Sequence, residues 1–594
     1  MRTYLLAGCL VALVTGLLAA QVRIQVRPAK APGTTPDQPV VDEAKADKKA
    51  LDAASLNPED ADALLGYIKQ RTLSDSDLSK IQAVIRRLGA DDFEERLKAA
   101  QEVERFGPAA VGPLRMAAQA ADADPEVSYR AGECLRRMEK VPHAAVAAAA
   151  VRALAKLKPA DTAKVLLAFL PLSDDPSVTE QIRKTLVAVA VRGNKADPAL
   201  VEALSDPMPI RRATAAMALI EGGPTTERIR IPDAYSKVLE AAKTEKDIET
   251  RFQMLYPLLT VAREKSAVSQ IIELIPDLPR GRLWQAEDFL LQLAGSAAPK
   301  AVLGRTKESL VKAKDAWNGW WTTASEKTDL AAFQYTPRIQ GKTLLVLMDF
   351  RYGSTGAIVE LGPDLKETWR IPGLGNPMDA QMMPDGNVLI AEHNSNRITI
   401  RDTRGRVKET RTIGGANRIY GNPQQVQLLE NGNILVICRN VIVEFKKDKD
   451  EEVMRYVRQQ YDISAGLRLP NGETMIMLQN GPDHCIFLDD KGKDIADKKL
   501  KIGMPFYQAH AADAGKDRVL ITELNQVVEY DLKKGEKVWS KAVNQPRSVQ
   551  RLPNGNTLFS DATANRIVEV TPDGEEVWTY QPANGLQVFR GYRR

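Results

Sequence analysis

The residues best suited to chemistry are polar side chains that alternate with apolar ones in four short segments of the second half of the chain. Asp, Gln, Ser or His residues stand two positions apart, with Ala or Val between them. Because a β-strand points alternate residues to opposite sides, one face of each segment is polar. The predicted ligand-binding or channel residues are Asp379, Gln381, Gln425, Gln427, Gln508, His510, Ser548 and Gln550.

Side chains of this kind could hydrogen-bond a polar ligand, and they could equally line a water-filled shaft. Ala465 and Leu467 occupy the same positions in a further segment and interrupt the polar pattern. Two other histidines, His393 and His484, fall in corresponding turns of repeats that stand two units apart. Turn residues are usually exposed, but loops also carry much of the ligand contact in proteins, so His393 is a candidate ligand residue as well.

Recognised catalytic motifs are absent from the sequence. Residues 341–343 (Gly-Lys-Thr) end like a phosphate-binding loop, yet Thr336 stands where the leading glycine belongs. The chain also lacks the patterns CxxC, CxxCH, HExxH and GxSxG. We therefore predict no metal site and no cofactor.

The four cysteines have neither the spacing of metal ligands nor that of a disulfide framework. Cys134, Cys438 and Cys485 are expected to be small apolar core residues. A single bridge between Cys438 and Cys485 is the alternative, because these two residues lie in neighbouring repeats.

The polar segments belong to repeated units that begin at about residue 336. Short β-rich stretches are divided by Asn-Gly, Asp-Gly or Lys-Gly turns at a period of roughly 40 to 45 residues, which suits a four-stranded propeller blade. Asn431-Gly432 and Asn554-Gly555 supply the positive φ that a tight hairpin requires. The pattern predicts a β-propeller of about six blades over residues 336–594.

This pattern resembles the NHL and PQQ-like propeller superfamily, including bacterial arylsulfotransferase-like propellers. Arylsulfotransferase-like propellers use a histidine nucleophile near the channel, assisted by further His and Arg residues. The resemblance implies His510 as the candidate catalytic residue and Arg547 as a candidate anion partner. It implies no quinone cofactor, because the paired-cysteine and cofactor-stacking signatures of eight-bladed quinoprotein dehydrogenases are missing.

The two ends of the propeller domain are expected to join. Residues 586–594 match the first strand of a blade, but no hairpin follows them. The domain begins at residues 341–343, just after the point where such a strand should stand. Pairing the two segments completes one blade and leaves no exposed sheet edge, so we predict ring closure by the C-terminal strand.

Residues 58–335 have helical periodicity, with apolar residues at three- and four-residue spacing. Asp-Pro pairs recur before Ala-rich helices, for example at Asp124-Pro125, Asp175-Pro176 and Asp206-Pro207. Asp can cap the first N–H groups of a helix, and Pro lacks the N–H that would be unpaired there. With the arginines that follow, the region resembles HEAT repeats, which implies an α-solenoid with a concave surface; an irregular helical bundle is the alternative.

The helical region ends in an aromatic cluster. Trp317, Trp320 and Trp321 share one face of a predicted helix. We expect this helix to cap the last repeat or to dock on the propeller, with a ligand platform as the alternative.

The N-terminus has the layout of an export signal. Arg2 precedes an apolar run at residues 4–20 that ends in small residues. We predict a signal peptide at residues 1–20, a flexible linker at 21–57, and an exported, periplasmic or secreted protein that has no transmembrane span once the signal is removed. An uncleaved anchor and lipidation at Cys9 are the alternatives.

The composition is that of a globular protein, with 44% hydrophobic and 27% charged residues. A formal net charge of +5 over 594 residues argues against a nucleic-acid partner. Two binding architectures without a convincing catalytic set favour a non-enzymatic binding or scaffold protein with protein or carbohydrate partners. A propeller enzyme of arylsulfotransferase or hydrolase type, centred on His510, is the alternative.

Overall fold

The computed structural model of the protein describes residues 43–119, 124–138, 143–173, 175–192, 195–222, 232–349, 355–413, 421–447, 449–460, 462–481, 483–498, 500–582 and 585–594. The predicted signal peptide lies outside these residues, as does most of the predicted linker. The described chain forms a helical domain that is followed by a propeller, as the sequence predicts.

The helical domain is a stack of α-helices joined by short turns. A two-stranded sheet, β1 (Val191–Arg192) and β2 (Lys195–Ala196), interrupts it once. The helices are α1 (Glu43–Ala53), α2 (Ala61–Lys69), α3 (Asp75–Arg87), α4 (Phe93–Arg105), α5 (Val111–Gln119), α6 (Pro125–Met138), α7 (His143–Leu157), α8 (Thr162–Phe169), α9 (Pro176–Val189), α10 (Pro198–Glu202), α11 (Pro209–Glu221), α12 (Pro232–Thr244), α13 (Ile248–Thr260), α14 (Ser266–Leu274), α15 (Arg280–Ala294) and α16 (Lys307–Ala324).

Aspartates start several of these helices, as the repeated punctuation of the sequence predicts. The Asp92 carboxylate accepts a hydrogen bond from Glu95 N at 2.9 Å at the start of α4. Asp175 accepts one from Ser177 N at 2.8 Å, directly before the proline that begins α9. Each carboxylate therefore satisfies backbone donors that the helix cannot pair by itself.

Neighbouring helices stack side by side, α9 on α11 and α11 on α13. Leu186, Ala215 and Leu255 lie on the facing sides of these helices and are fully buried. Because each helix buries its apolar face against its neighbours, the core follows the stack as two clusters, a smaller one formed by α3 to α6 and a larger one that extends from α7 to α16 and includes α1 and α2. The predicted α-solenoid is confirmed.

The aromatic cluster of α16 closes the end of this core. Trp317 and Trp321 are buried, and the Trp317 and Trp320 rings meet edge to face with centroids 5.5 Å apart. The three rings pack within the helical domain, so α16 caps the last repeat.

The predicted linker extends too far along the chain. Residues 43–53 form α1, which packs against α7. Leu51 is buried, and Asp47 forms an ion pair with Arg152 of α7. The segment resembles a linker because it has few large apolar residues, but its Ala, Lys and Leu are good helix formers, and an adjacent helix supplies the surface on which they pack.

The propeller strands are short and antiparallel. They are β3 (Thr343–Asp349), β4 (Thr355–Leu361), β5 (Glu367–Gly375), β6 (Pro377–Met382), β7 (Val388–Glu392), β8 (Arg397–Arg401), β9 (Val407–Thr412), β10 (Pro423–Leu428), β11 (Ile434–Cys438), β12 (Val441–Phe445), β13 (Glu452–Val457), β14 (Ile463–Arg468), β15 (Thr474–Leu478), β16 (Cys485–Leu488), β17 (Ala511–Gly515), β18 (Arg518–Glu523), β19 (Gln526–Asp531), β20 (Glu536–Ala542), β21 (Val549–Arg551), β22 (Thr557–Asp561), β23 (Arg566–Val570), β24 (Glu576–Tyr580) and β25 (Gln587–Arg593).

These strands form six blades, each a separate sheet whose first strand lies innermost. Blade 1 is β25-β3-β4-β5, blade 2 is β6 to β9, blade 3 is β10 to β13, blade 4 is β14 to β16, blade 5 is β17 to β20, and blade 6 is β21 to β24. The last strand of the chain therefore pairs with the first strand of the domain, and the predicted ring closure is confirmed. Lys342 and Arg594 extend the pairing through two backbone hydrogen bonds of 3.0 and 2.9 Å.

Blade 4 departs from the expected four strands. Its outer strand β16 is followed by a segment in which Ile495 N donates to Phe487 O at 2.8 Å. The Lys498 ammonium lies 4.7 Å from the Phe487 ring centroid. This segment covers part of the edge that a fourth strand would otherwise protect.

Helix α15 makes several of the contacts between the helical domain and the propeller. Gly281 N donates to Pro363 O at 3.1 Å, in the turn between β4 and β5. A Cβ on Gly281 would lie 2.3 Å from Pro363 Cα, so only glycine permits this approach. Trp284 meets Trp578 edge to face at 5.5 Å, and the Arg593 guanidinium lies 3.1 Å from the Trp284 ring centroid.

Candidate functional site

The polar side chains predicted for the channel lie where the inner strands of the blades meet. A cavity of about 390 Å³ lies among them. Gln381, Gln425 and Gln427 line it together with His510 and Gln550, whereas Gln508 and Ser548 do not. Met382, Asp513 and Arg594 also line it, at the ends of their inner strands.

Most of these polar side chains bind the backbone of the next blade. Gln381 Oε1 accepts from Leu428 N at 2.8 Å, which joins blade 2 to blade 3. Gln427 Oε1 accepts from Arg468 N at 2.8 Å, which joins blade 3 to blade 4. The alternation that the sequence shows is therefore first a set of links between blades.

The same links continue on the other side of the ring. Gln550 accepts from Arg593 N at 2.7 Å and donates to Arg593 O at 3.0 Å, joining blade 6 to blade 1. Ser548 Oγ is buried and accepts from Gly591 N at 3.2 Å in the same pair of blades. On the inner strands of blades 2, 3 and 6, an amide or hydroxyl thus satisfies backbone groups that a neighbouring strand leaves unpaired.

Ala465 and Leu467 interrupt the pattern in blade 4 because a different contact joins this blade to blade 5. Both side chains are buried in an apolar cluster that also contains Ala509 and Ala511. Hydrophobic packing replaces the polar link at this junction.

Four polar side chains from three blades meet across the centre of the ring. Asp379 of blade 2 forms an ion pair with Arg590 of blade 1 at 3.1 Å. Tyr592 Oη donates to Asp379 Oδ1 at 2.6 Å and lies 3.2 Å from His510 Nε2 in blade 5. Because blades 2 and 5 stand opposite each other, these four residues, here called the central cluster, span the channel.

Hydrogen bonding assigns the tautomer of His510. Its Nδ1 accepts from Val549 N at 3.3 Å, so the ring proton lies on Nε2 and is donated to Tyr592 Oη. Burial, together with the nearby Arg590 charge, lowers the pKa of His510 well below its usual value. The imidazole is neutral, and its one lone pair in the ring plane is already engaged.

Burial also controls the two acidic groups of the central cluster. It raises the pKa of the Asp379 carboxyl, against the opposing effects of Arg590, Tyr592 and two backbone donors. It raises the pKa of Tyr592 well above its usual value, so the phenol keeps its proton and acts as a donor.

Arg547, the candidate anion partner, is not the arginine of this cluster. Its guanidinium carbon lies 5.0 Å from the Phe589 ring centroid and 5.8 Å from that of Phe506. Gln508 has its Nε2 4.0 Å from Met378 Sδ and lies outside the cavity.

His393 lies in the turn before β8, with its Nδ1 3.3 Å from Asn394 Oδ1, and burial lowers its pKa. His484 Nδ1 lies 3.0 Å from Leu478 O. Neither histidine lines the cavity.

Sequence reasoning missed Arg590 and Tyr592. They stand two positions apart in β25, the same spacing as the polar pairs of the other inner strands. Applying the period-two alternation to the C-terminal strand, once its role in ring closure was inferred, would have placed both side chains on the channel face.

Cys134, Cys438 and Cys485 are free and buried, so the alternative bridge between Cys438 and Cys485 does not form. Burial raises the pKa of the Cys485 thiol to about 12. Across the described ranges, no group of three or more His, Cys, Asp or Glu side chains is arranged to hold a metal ion. None of the helices in these ranges combines the length and apolar character that a membrane crossing requires.

Residues 137–220 match the family model of HEAT repeats. Solved structures similar to part of this chain include a streptogramin B lyase, at 17% identity and a TM-score of 0.28, covering 35% of this chain and 70% of that one. A protein of unknown function from Bacteroides caccae has 17% identity, a TM-score of 0.34, and coverage of 41% and 94%. Virginiamycin B lyase from Staphylococcus aureus has 15% identity, a TM-score of 0.31, and coverage of 40% and 84%. No curated protein matches the chain, and similarity at this level assigns no activity to it.

Proposed function

We propose that this protein is an exported binding or scaffold protein whose propeller cavity takes a glycan or an extended peptide. The proposal rests on amide N–H donors that remain free after the amide oxygens of the same side chains have bonded to the next blade. Gln381 and Gln425 line the cavity, and within the described chain the Nε2 of neither side chain donates a hydrogen bond. Free amide donors at one cavity suit a ligand that presents hydroxyl or carbonyl oxygens.

The solenoid stands beside the mouth of this cavity. The cavity is lined by the ends of the inner strands, the same side of the ring as the hairpin turns that follow them. Turns on this side contact the solenoid: Asn554 of blade 6 donates to Glu287 at 3.0 Å, and Arg404 of blade 2 hydrogen-bonds Ser177. A polymeric ligand that enters the cavity would therefore pass next to the helical repeats.

The geometry disfavours the alternative of a histidine-dependent enzyme. A general base or nucleophile needs an available lone pair, and the Nδ1 lone pair of His510 accepts from the backbone of Val549. The groups around it are also engaged with one another: Tyr592 donates to Asp379, and Asp379 is paired with Arg590, although Tyr592 and Asp379 line the cavity as well.

The test is a binding screen of the purified protein against oligosaccharides and peptides, followed by calorimetric titration of each hit. Replacing both Gln381 and Gln425 by Glu keeps the acceptor oxygen of each link between blades but removes the free donors. We expect at least tenfold weaker binding in this double variant, about 1.4 kcal/mol. Gln581→Glu, the same change at an exposed position, is the matched control.

Unchanged binding in the double variant would contradict the cavity as the site. Turnover of a bound ligand that disappears in His510→Ala would overturn the proposal in favour of the enzyme alternative. Circular dichroism of each variant checks that the propeller is folded.

A further inference from the structure

Arg547 lies at the end of the propeller channel opposite the cavity. It lies just before β21, the inner strand of blade 6, whereas the cavity is lined by residues further along the inner strands, such as Gln550, Met382 and Arg594. Phe506 and Tyr507 likewise lie before β17, the inner strand of blade 5. Phe589 directly precedes Arg590 in β25, the inner strand of blade 1. The central cluster separates this end of the channel from the cavity.

The Arg547 guanidinium packs on aromatic rings and has no hydrogen-bond or ion-pair partner among the residues that the structure describes. It packs over Phe589 and Phe506, and its Nε is buried without a hydrogen bond. Among the described residues no carboxylate forms an ion pair with it. Most other half-buried arginines of the propeller are paired; Arg551 with Glu529 and Arg566 with Glu576 are examples.

The charge at Arg547 is therefore uncompensated. Burial lowers its pKa, Tyr507 opposes this effect, and the positive charge of Arg590 acts in the same direction as burial. Removing a guanidinium from water without an anionic partner costs free energy, and an anion that binds there recovers part of it. The planar donors of arginine match the oxygens of carboxylate, sulfate and phosphate groups.

We propose that Arg547 is the anchor of a second binding site, which takes an oxyanion carried by a small ligand at this end of the channel. The guanidinium supplies the charge and the paired donors. Tyr507 is exposed, and its ring lies 4.4 Å from that of Phe506, so an aromatic surface stands beside the cation for the organic part of the ligand. This site is independent of the glycan or peptide cavity.

The experiment is a calorimetric titration of the full chain with sodium benzoate, inorganic sulfate and inorganic phosphate, each against sodium chloride at equal ionic strength. The three anions distinguish carboxylate from tetrahedral oxyanions. We expect saturable binding of at least one of them, weakened at least tenfold in Arg547→Met. Arg370→Met removes the same charge from an outer strand of blade 1 and should leave binding unchanged.

Phenylglyoxal labelling of the unmodified protein keeps the test decisive if Arg547→Met does not fold. Arg547 should react more slowly in the presence of the bound anion, as measured by mass spectrometry of its peptide. No saturable binding beyond chloride, or equal affinity in a folded Arg547→Met, would overturn the proposal. The two proposals are tested separately, because a variant can lose anion binding and still bind the cavity ligand, or lose the cavity ligand and still bind the anion.

Discussion

Tyr592 and Asp379 meet at the centre of the propeller, where the phenol donates to the carboxylate at 2.6 Å. Tyr592 lies in β25, the last strand of the domain, and Asp379 lies in β6, the inner strand of blade 2. The two residues are 213 positions apart in the sequence. The contact joins the strand that closes the ring to the blade beside it. Because the Tyr592 hydroxyl also lies 3.2 Å from His510 Nε2, one side chain couples three blades.

Removing this hydroxyl should weaken the propeller. In Tyr592→Phe, the buried Asp379 loses a donor and His510 Nε2 loses its acceptor, which we expect to lower the free energy of unfolding by about 1 to 3 kcal/mol. Urea denaturation followed by tryptophan fluorescence measures the change. Tyr507→Phe removes an exposed hydroxyl and is the matched control; equal stability of the two variants would contradict the bridging role.

Ring closure predicts the effect of a truncation. Deleting residues 586–594 removes β25, leaves β3 as an unpaired edge and takes Arg590 and Tyr592 from Asp379. We expect loss of cooperative unfolding of the propeller by circular dichroism, because the closing strand links the two ends of the domain. A synthetic peptide of residues 586–594 should restore part of the transition. Unchanged unfolding of the truncated chain would show that the closure is dispensable.

The approach of the two domains at Gly281 predicts a steric effect. In Gly281→Ala the new Cβ would collide with the Pro363 backbone, so α15 must move away from the propeller. We expect separate unfolding transitions of the two domains in calorimetry and faster proteolysis near residue 336. Gly319 also lies within a helix and has no neighbour within 4 Å of an added Cβ, so Gly319→Ala should be neutral or stabilise by up to about 1 kcal/mol.

Glu287 predicts a pH dependence at the same junction. Burial raises the pKa of its carboxyl from 4.5 to about 8, with Asn554, Glu569, Arg280 and Asp288 as the nearby polar or charged groups. Between these two values the folded protein retains a proton that the unfolded chain has released. The contribution of Glu287 to stability is therefore complete below about pH 4.5 and is lost as pH rises to about 8.

Glu287→Gln should remove this part of the pH dependence. We expect the variant to be more stable than the parent above pH 8, by on the order of 5 kcal/mol, and similar to it below pH 4.5. Chemical denaturation at a series of pH values measures the difference. Glu240→Gln, at an exposed position of the solenoid, should have the parent's profile. Parallel profiles for Glu287→Gln and the parent would place the titrating group elsewhere.

The polar alternation of the inner strands shows how far local patterns reach. Its period of two singled out Gln381, Gln427 and Gln550, and the structure has these three side chains at one cavity. It did not show that their oxygens are engaged by the next blade, because that depends on the spacing between strands more than 40 positions apart. The sequence therefore shows which side chains can form hydrogen bonds. Contacts with the neighbouring blade determine which of their donors and acceptors remain available to a ligand.

The candidate pair of His510 and Arg547 shows the same limit for chemistry. Both side chains are polar and close to the channel, but Arg590 reaches the central cluster while Arg547 packs on two phenylalanines. Which arginine approaches His510 depends on the direction of each side chain at the end of its strand. The order of residues in the sequence does not contain that information.

The architecture, helical repeats followed by a propeller that its last strand closes, could be predicted from the order of residues alone. These features arise from local signals, namely helix caps, turn residues and hydrophobic periods, which repeat along the chain and reinforce one another. The central cluster, the free donors of the cavity and the contact at Gly281 could not be predicted without the folded structure. Each of these depends on distances of a few ångströms between residues remote in sequence, and such distances follow from the packing of complete blades and helices rather than from any single segment.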